Sequence, residues 1–341
     1  MSDVRSKNAT ISDVARLSGV SMKTVSRVMN GEKYVSKDKK EAVLKVAAEL
    51  NYRPSLQARG LAGTRSFMIG LFVDDPSGDY VSKVQRGILK KCDEAGCYLV
   101  VDVLEKRDSD AKLKKVLNSI NFDGVILPPP ICDDVVILAA LKERGVPTVR
   151  IGPDTDIEDM GRVEIDDFQA AYDITEYLIS QGHKQIGFIK GDPNHGCSHD
   201  RERGYIRALQ SHGIAIRNDL IAPGLFSFPS GLAAAEQLLS QGGAPTAIFA
   251  SNDEMAAGVV AAAQKKAIRV PEELSIAGFD DDYVVSMVSP RITTIRQPIE
   301  EMAAKAFDML LEAQGNGGVV AATPVIYPYD LCVRDSVACI S

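Results

Sequence analysis

The sequence contains no C-x-x-C pair. Its six cysteines, Cys92, Cys97, Cys132, Cys197, Cys332 and Cys339, are scattered along 341 residues, which argues against a zinc ribbon or a dithiol redox motif and leaves them as reduced core or surface thiols. There is no run of about 18 apolar residues of the kind that crosses a bilayer. The opening MSDVRSKNAT lacks the apolar stretch of a secretion signal. These absences point to the cytoplasm, away from membranes. Neither a G-x-G-x-x-G after a strand nor a G-x-x-x-x-G-K-[ST] loop occurs, so no nucleotide is indicated and no cofactor is expected. A nucleophile with a paired base is also missing, which argues against an enzyme.

What is present is enough chain for two or three independent cores, with an ordinary globular composition of 45% hydrophobic and 25% charged residues. The net charge of −7 conceals an asymmetry. Residues 1–66 hold 13 Lys and Arg against 6 Asp and Glu, leaving 26 against 40 of the totals of 39 and 46 for the rest. A basic head on an acidic body suggests a polyanionic partner for the head alone.

In that head, Thr10-Ile11-Ser12-Asp13 opens a helix with a capping hydroxyl and an acid suited to the positive end of the dipole. Val14, Ala15 and Leu17 give it an apolar face, and Gly19 permits the left-handed turn that ends it. Ser21 caps a second helix running to about Asn30, stopped by Gly31. Two short helices joined through a glycine turn form a helix-turn-helix pattern. With residues placed about 100° apart, Val25, Val28 and Met29 share one arc. Lys23, Ser26, Arg27 and Asn30 share the other, with Met22 between them. The polar arc suits groove reading: Arg27 can fork onto guanine, Lys23 can donate to guanine or phosphate, and Ser26 and Asn30 can serve bases or backbone. A third helix is expected from Ser36, its cap, to about Leu50, with Val43, Leu44, Ala47 and Leu50 at helical spacing. Beyond Pro54, Ser55 to Ala62 is a marginal helix interrupted by Gly60 and ended by Gly63. Arg53, Arg59 and Arg65 point to phosphates there, and Leu61 is placed to wedge between base pairs once the segment folds on DNA.

The stretch TISDVARLSGVSMKTVSRVMNG, followed by AAELNYRPSLQARGLAG, resembles the DNA-binding headpiece and hinge of the lactose/galactose repressor (LacI/GalR) family of bacterial transcription regulators. The resemblance implies DNA contacts from Ser21, Met22, Lys23, Thr24, Ser26, Arg27, Asn30, Tyr34, Arg59 and Leu61. Met22 and Lys23 match the variable base-reading pair, Arg27 a guanine contact, and Leu61 the leucine inserted into the minor groove.

From Phe67 the rhythm changes to short apolar strands alternating with amphipathic helices. FMIGLFV, YLVVDVL, GVILPP, PTVRIG, QIGFIKG, AIFASND and LSIAGFD read as buried parallel strands, and residues 84–95, 168–181, 200–212 and 253–266 as helices. This is an α/β pattern repeated twice. Open parallel sheets place ligands at strand ends, which singles out Asp75, Asn252-Asp253, Asp280 and, nearby, Arg201. Asp253 can equally be a helix cap, and in the run Asp280-Asp281-Asp282 some carboxylates are expected to be plain solvated charges. His195 to His199, HGCSH, reads as a loop without the fixed geometry a metal requires.

SQGHKQIGFIKG, ASNDEMAAGVV, VPEELSIAGFDD and PRITTIRQP continue the resemblance to about residue 335. They are similar to the family's periplasmic-binding-protein-like core of two doubly wound parallel-sheet subdomains. The fold implied is therefore an all-α helix-turn-helix headpiece plus that α/β core. Domain boundaries are expected at 1–52 for the headpiece, 53–66 for the hinge and 67–341 for the core. Within the core, 67–165 plus 295–323 make one subdomain and 166–294 plus 324–341 the other. By the same resemblance the effector is held by Asp75, Tyr80, Cys197, Arg201, Phe226, Asn252, Asp280 and Gln297, with Cys197 and His199 as pocket walls. PSGDYVSKV departs from the family's usual N-P-F-F, and Gly152 stands where some members carry an aspartate. The function implied is a repressor that binds near-palindromic double-stranded operator DNA as a homodimer, tuned by a small polar effector such as a sugar or sugar derivative. The alternatives are a sugar-binding protein or an enzyme on the same scaffold.

Overall fold

The computed structural model describes residues 9–29, 35–52, 65–104, 109–155, 157–240 and 242–340. The chain divides into two compact units, Met1–Phe67 and Met68–Ser341.

The first unit contains α1 (Ile11–Ser18), α2 (Met22–Met29) and α3 (Lys37–Glu49). Thr10 and Asp13 form a capping box at the start of α1. The Asp13 amide donates to Thr10 Oγ1 at 3.3 Å and the Thr10 amide to Asp13 Oδ2 at 3.0 Å, satisfying donors that the helix cannot pair itself. Gly19 ends α1 at φ 69°. Ser21 Oγ accepts the Thr24 amide at 3.2 Å and so caps α2. Val14, Ala15, Val25, Val28, Val43, Ala47 and Tyr52 form the small core, with Met29 packed against it. Two residues assigned to that core turn outward: Leu17 is 53% and Leu44 45% exposed. Three short helices enclose too little volume to cover every apolar position. Ser36 precedes α3 without a side-chain capping bond. The stop at Gly31 and the expected helix over 55–62 lie outside the described residues.

The second unit holds two sheets of six strands. In the first the order is β11-β5-β4-β3-β1-β2, all parallel, from β1 (Met68–Val73), β2 (Tyr98–Val103), β3 (Gly124–Leu127), β4 (Thr148–Ile151), β5 (Gly161–Ile165) and β11 (Val325–Tyr327). In the second the order is β12-β10-β9-β8-β6-β7, from β6 (Ile186–Ile189), β7 (Ile221–Ala222), β8 (Ala247–Ala250), β9 (Ser275–Asp280), β10 (Thr293–Arg296) and β12 (Asp330–Cys332). Only β12 runs antiparallel, against β10. Within each sheet the strand order reverses between its first and third strands, and at such a point the loops at the carboxyl ends splay apart and leave a crevice.

The helices around the first sheet are α4 (Asp79–Ala95), α5 (Ser109–Ser119), α6 (Val135–Glu143) and α12 (Ile299–Gly315); those around the second are α7 (Asp167–Ser180), α8 (Gly196–Ser211), α9 (Phe228–Leu238), α10 (Asp253–Lys265) and the short α11 (Val284–Met287). All seven strands read from the sequence are present, but YLVVDV is not buried. It is an edge strand, with Tyr98 52% exposed. The chain crosses between the lobes after β5, after β10 and between β11 and β12. The expected subdomain limits shift accordingly. Residues 325–327 pair with β5 in the first lobe, and the whole of β10 belongs to the second, because ladder hydrogen bonds decide membership and those short strands carry no periodic signal of their own.

Helix α4 lies close against α12 through Gly87, where an added Cβ would sit 2.2 Å from the Glu300 carbonyl oxygen. Gly87→Ala should therefore destabilise the core by about 1–3 kcal/mol through overpacking. Thermal unfolding checks this, and an unchanged midpoint would contradict the close approach.

Candidate functional site

Between the two lobes lies a cleft of about 360 Å³, lined from both sheets and from the crossovers. At its base is Arg201, on the buried face of α8. A buried guanidinium needs acceptors for its fixed fork of donors. Nε donates to Asp167 Oδ1 at 2.7 Å, Nη1 donates to the Ser251 carbonyl at 2.6 Å, and Nη2 stands 3.6 Å from Asp280 Oδ1. Its Cζ lies 3.6 Å from the Phe279 ring centroid, a cation–π contact that suits arginine's delocalised charge.

Asp280 ends β9 with φ 107° and accepts Gln297 Nε2 at 2.6 Å. Gln297 and Asp167 sit where the chain passes between the lobes, so the second lobe and the connections converge on this group. Burial pushes Asp280 up to about 6 despite Arg201 and Gln297, and raises Asp167 despite Arg201. Asn252 caps α10 by accepting the Met255 amide, and its Nδ2 donates to the Phe226 carbonyl at 2.9 Å. That bond helps hold Phe226 at φ 56°. Gly191 lets the ring approach, since a Cβ there would meet Phe226 Cζ at 2.1 Å. The half-buried ring packs tilted against His195, with centroids 5.0 Å apart.

The first lobe contributes the loop after β1 and the start of α4. Lys83 reaches across the lobes: Nζ donates to Asp282 Oδ1 at 2.7 Å and to the Asp281 carbonyl at 2.9 Å, while pairing with Asp79 at 3.1 Å. Asp79 in turn accepts the Tyr283 amide at 3.3 Å. Burial and the neighbouring Asp280 charge push Asp282 up to about 7.

All eight residues assigned to the effector, Asp75, Tyr80, Cys197, Arg201, Phe226, Asn252, Asp280 and Gln297, line this cleft. Asp75 is at the exposed rim, its carboxylate accepting the Ser77 amide at 2.8 Å. Burial raises the Cys197 thiol to about 12, so it is a neutral wall. Gly152 lies on the cleft floor.

Several expectations need correction. HGCSH is not a loop: α8 begins at Gly196, and its turn aims Cys197 into the cleft and His199 into a separate recess beside Lys190 and Glu202. Asp253 is not a cap but fully buried, accepting the Asp282 amide and the Thr294 hydroxyl. None of the three consecutive aspartates is a plain solvated charge, since Asp281 pairs with Arg296 and Arg334 and Asp282 with Lys83. Asp79, Lys83, Asp167, His195 and Asp282 escaped the sequence reading. Asp167 carried a usable signal, two acids just past GRVEI, had that segment been read as a strand. Among the described residues no cluster of His, Cys, Asp and Glu is arranged to hold a metal ion.

In the first unit, α2 separates its faces as its periodicity implies. Val25 and Val28 are buried, Met22 is 55% exposed, Lys23 and Arg27 are exposed, and Ser26 is half-buried. Ser21 and Thr24 are joined through their hydroxyls at 3.0 Å at the start of the helix. Asn30, Tyr34, Arg59 and Leu61 lie outside the described residues.

A helix-turn-helix with a polar outer face, joined in one chain to a two-lobed cleft built for a small polar ligand, defines a ligand-responsive DNA-binding regulator. Comparison with known proteins agrees. Residues 10–55 match the bacterial regulatory proteins of the lacI family, and residues 175–337 the periplasmic binding protein-like domain. The chain is 35% identical over 335 residues to catabolite control protein A of Priestia megaterium, covering 96% of this chain and 99% of that protein. Its fold matches the lac repressor dimer bound to operator and the anti-inducer ONPF, with a TM-score of 0.84 at 28% identity over 97% and 100% of the two chains. It also matches the transcriptional regulator CelR–cellobiose complex, with a TM-score of 0.74 at 29% identity over 96% and 99%. The chain belongs to the LacI family of bacterial transcription regulators; it is a DNA-binding regulator under effector control and not an enzyme. No described helix is long and apolar enough to cross a membrane.

The raised Asp282 carboxyl carries a pH signature. Its folded value of about 7 exceeds its ordinary 3.8, so between those pH values the folded state keeps a proton that the unfolded chain has released. The stability this contributes is full below about pH 4 and is lost as pH rises towards 7. Thermal unfolding of wild type and Asp282→Asn from pH 4 to 8 should show the wild type losing ground steadily over that window; a constant difference would contradict the assignment.

Proposed function

We propose that the protein represses transcription in the cytoplasm as a homodimer on a near-palindromic operator, with its affinity set by a small sugar or sugar derivative bound in the cleft. The observation that carries the ligand reading is the meeting of Arg201, Asp280 and Gln297 between the lobes, beside an aromatic ring at Phe226. A carboxylate that accepts and a guanidinium and an amide that donate can bind vicinal hydroxyls, while the ring covers an apolar sugar face. The cellobiose in the CelR complex and the operator-bound lac repressor dimer support the same assignment.

On the DNA side, Met22 and Lys23 select the operator, Arg27 reads guanine, and Ser21, Thr24, Ser26, Asn30, Tyr34, Arg59 and Leu61 complete the contacts. Two heads on a two-fold symmetric body address two half-sites. Ligand binding alters the angle between the lobes and hence the spacing of the two hinges. Effector and operator then influence each other through one coupling energy, of about 1–3 kcal/mol in such systems.

Arg27→Ala should lower specific operator affinity by about 1–3 kcal/mol while leaving ligand binding intact, as read by fluorescence anisotropy on operator DNA. Unchanged affinity would remove Arg27 from the groove. Asp280→Ala should bind operator normally yet lose the effector response; a retained response would show that the carboxylate does not hold the ligand.

A further inference from the structure

The cleft lining holds seven carboxylates and, of the lysines and arginines, Arg201 alone. That guanidinium is already committed to Asp167, the Ser251 carbonyl and Asp280. Lys83, behind the lining, is likewise committed to Asp79 and Asp282. Four carboxylates therefore share two cations, and an incoming anion would meet no uncompensated positive charge. In a partly desolvated cleft such repulsion is weakly screened. A neutral hydroxyl faces no such penalty. It can donate to Asp280, and it can pair with the half-buried Tyr80 hydroxyl, which has no hydrogen-bond partner among the described residues.

We propose that the cleft admits effectors without negative charge: a neutral, hydroxyl-rich ligand binds, and the same ring bearing a phosphate or a carboxylate is rejected. This rests on the reading of the cleft as the effector site. The discrimination is one of partner choice by like-charge juxtaposition, which costs more than a mismatched hydroxyl does.

The test is isothermal titration of the full chain at pH 8 with three matched sets. These are glucose with glucose 6-phosphate and glucuronate, galactose with galactose 6-phosphate and galacturonate, and cellobiose with cellobiose 6-phosphate. In the set that binds, the neutral member should bind at least about 100-fold tighter than its anionic partners, and Phe226→Ala should weaken it more than tenfold. Glu254→Lys, which puts a cation on the first turn of α10 in the lining, should narrow the ratio at least tenfold; an unchanged ratio overturns the electrostatic account. An anionic member that binds as tightly as its neutral partner, with the same loss in Phe226→Ala, overturns the charge selection and leaves the effector cleft standing. Binding that ignores Phe226→Ala, or no binding in any set, overturns the sugar cleft and the inference together.

Discussion

A guanidinium taken out of water must be met by acceptors in the plane of its fork, and Arg201 dictates much of the core's arrangement for that reason. Its acceptors come from the end of one crossover, from the loop after β8 and from the end of β9, and its face rests on Phe279. Moving any one of these segments would cost a buried charge one of its partners, so the packing of α7, β8 and β9 in the second lobe is tied to the geometry of one side chain. The same group offers a ligand its remaining donor edge. Structure and recognition thus depend on the same contacts.

Lys83, behind the cleft lining, ties the two lobes together. It joins the first lobe's α4 to the loop that carries Asp280, Asp281 and Asp282. Asp282 also donates its amide to Asp253, which in turn takes the Thr294 hydroxyl on β10. Asp280 and Asp282 sit above their ordinary pKa because burial outweighs their partners, whereas Asp79 and Asp281 are held below theirs, despite burial, by Lys83 and by Arg296 and Arg334.

The headpiece was legible in the sequence because its information is local: a capping box four residues long, a glycine at positive φ and a helix whose faces sort by a 100° step. The strands of the core were legible because parallel strands buried on both faces are continuous apolar runs. GRVEI, alternating and bordered by charges, was passed over, and with it the meaning of Asp167. Of the two short strands after α12, β12 falls in the expected lobe and β11 does not, since its membership is decided by pairing partners more than 150 residues away. The ligand residues came from strand-end position and from resemblance to a family, and the cleft gathers all eight. What escaped was the tie across the cleft, Asp79, Lys83 and Asp282, whose roles exist only when the two lobes face each other. Some of the three adjacent aspartates were expected to be solvated because no cation lies near them in sequence; Asp281 pairs instead with Arg296 and Arg334, and Asp282 with Lys83.

Linkage between the head and the cleft is the centre of the account, and reciprocity tests it directly. The operator dissociation constant is measured with and without a saturating sugar that stabilises the core, and the constant for that sugar is measured with and without saturating operator. The account predicts that both change by the same factor, about 5- to 150-fold. A sugar that binds the cleft tightly and leaves the operator constant unchanged would contradict it.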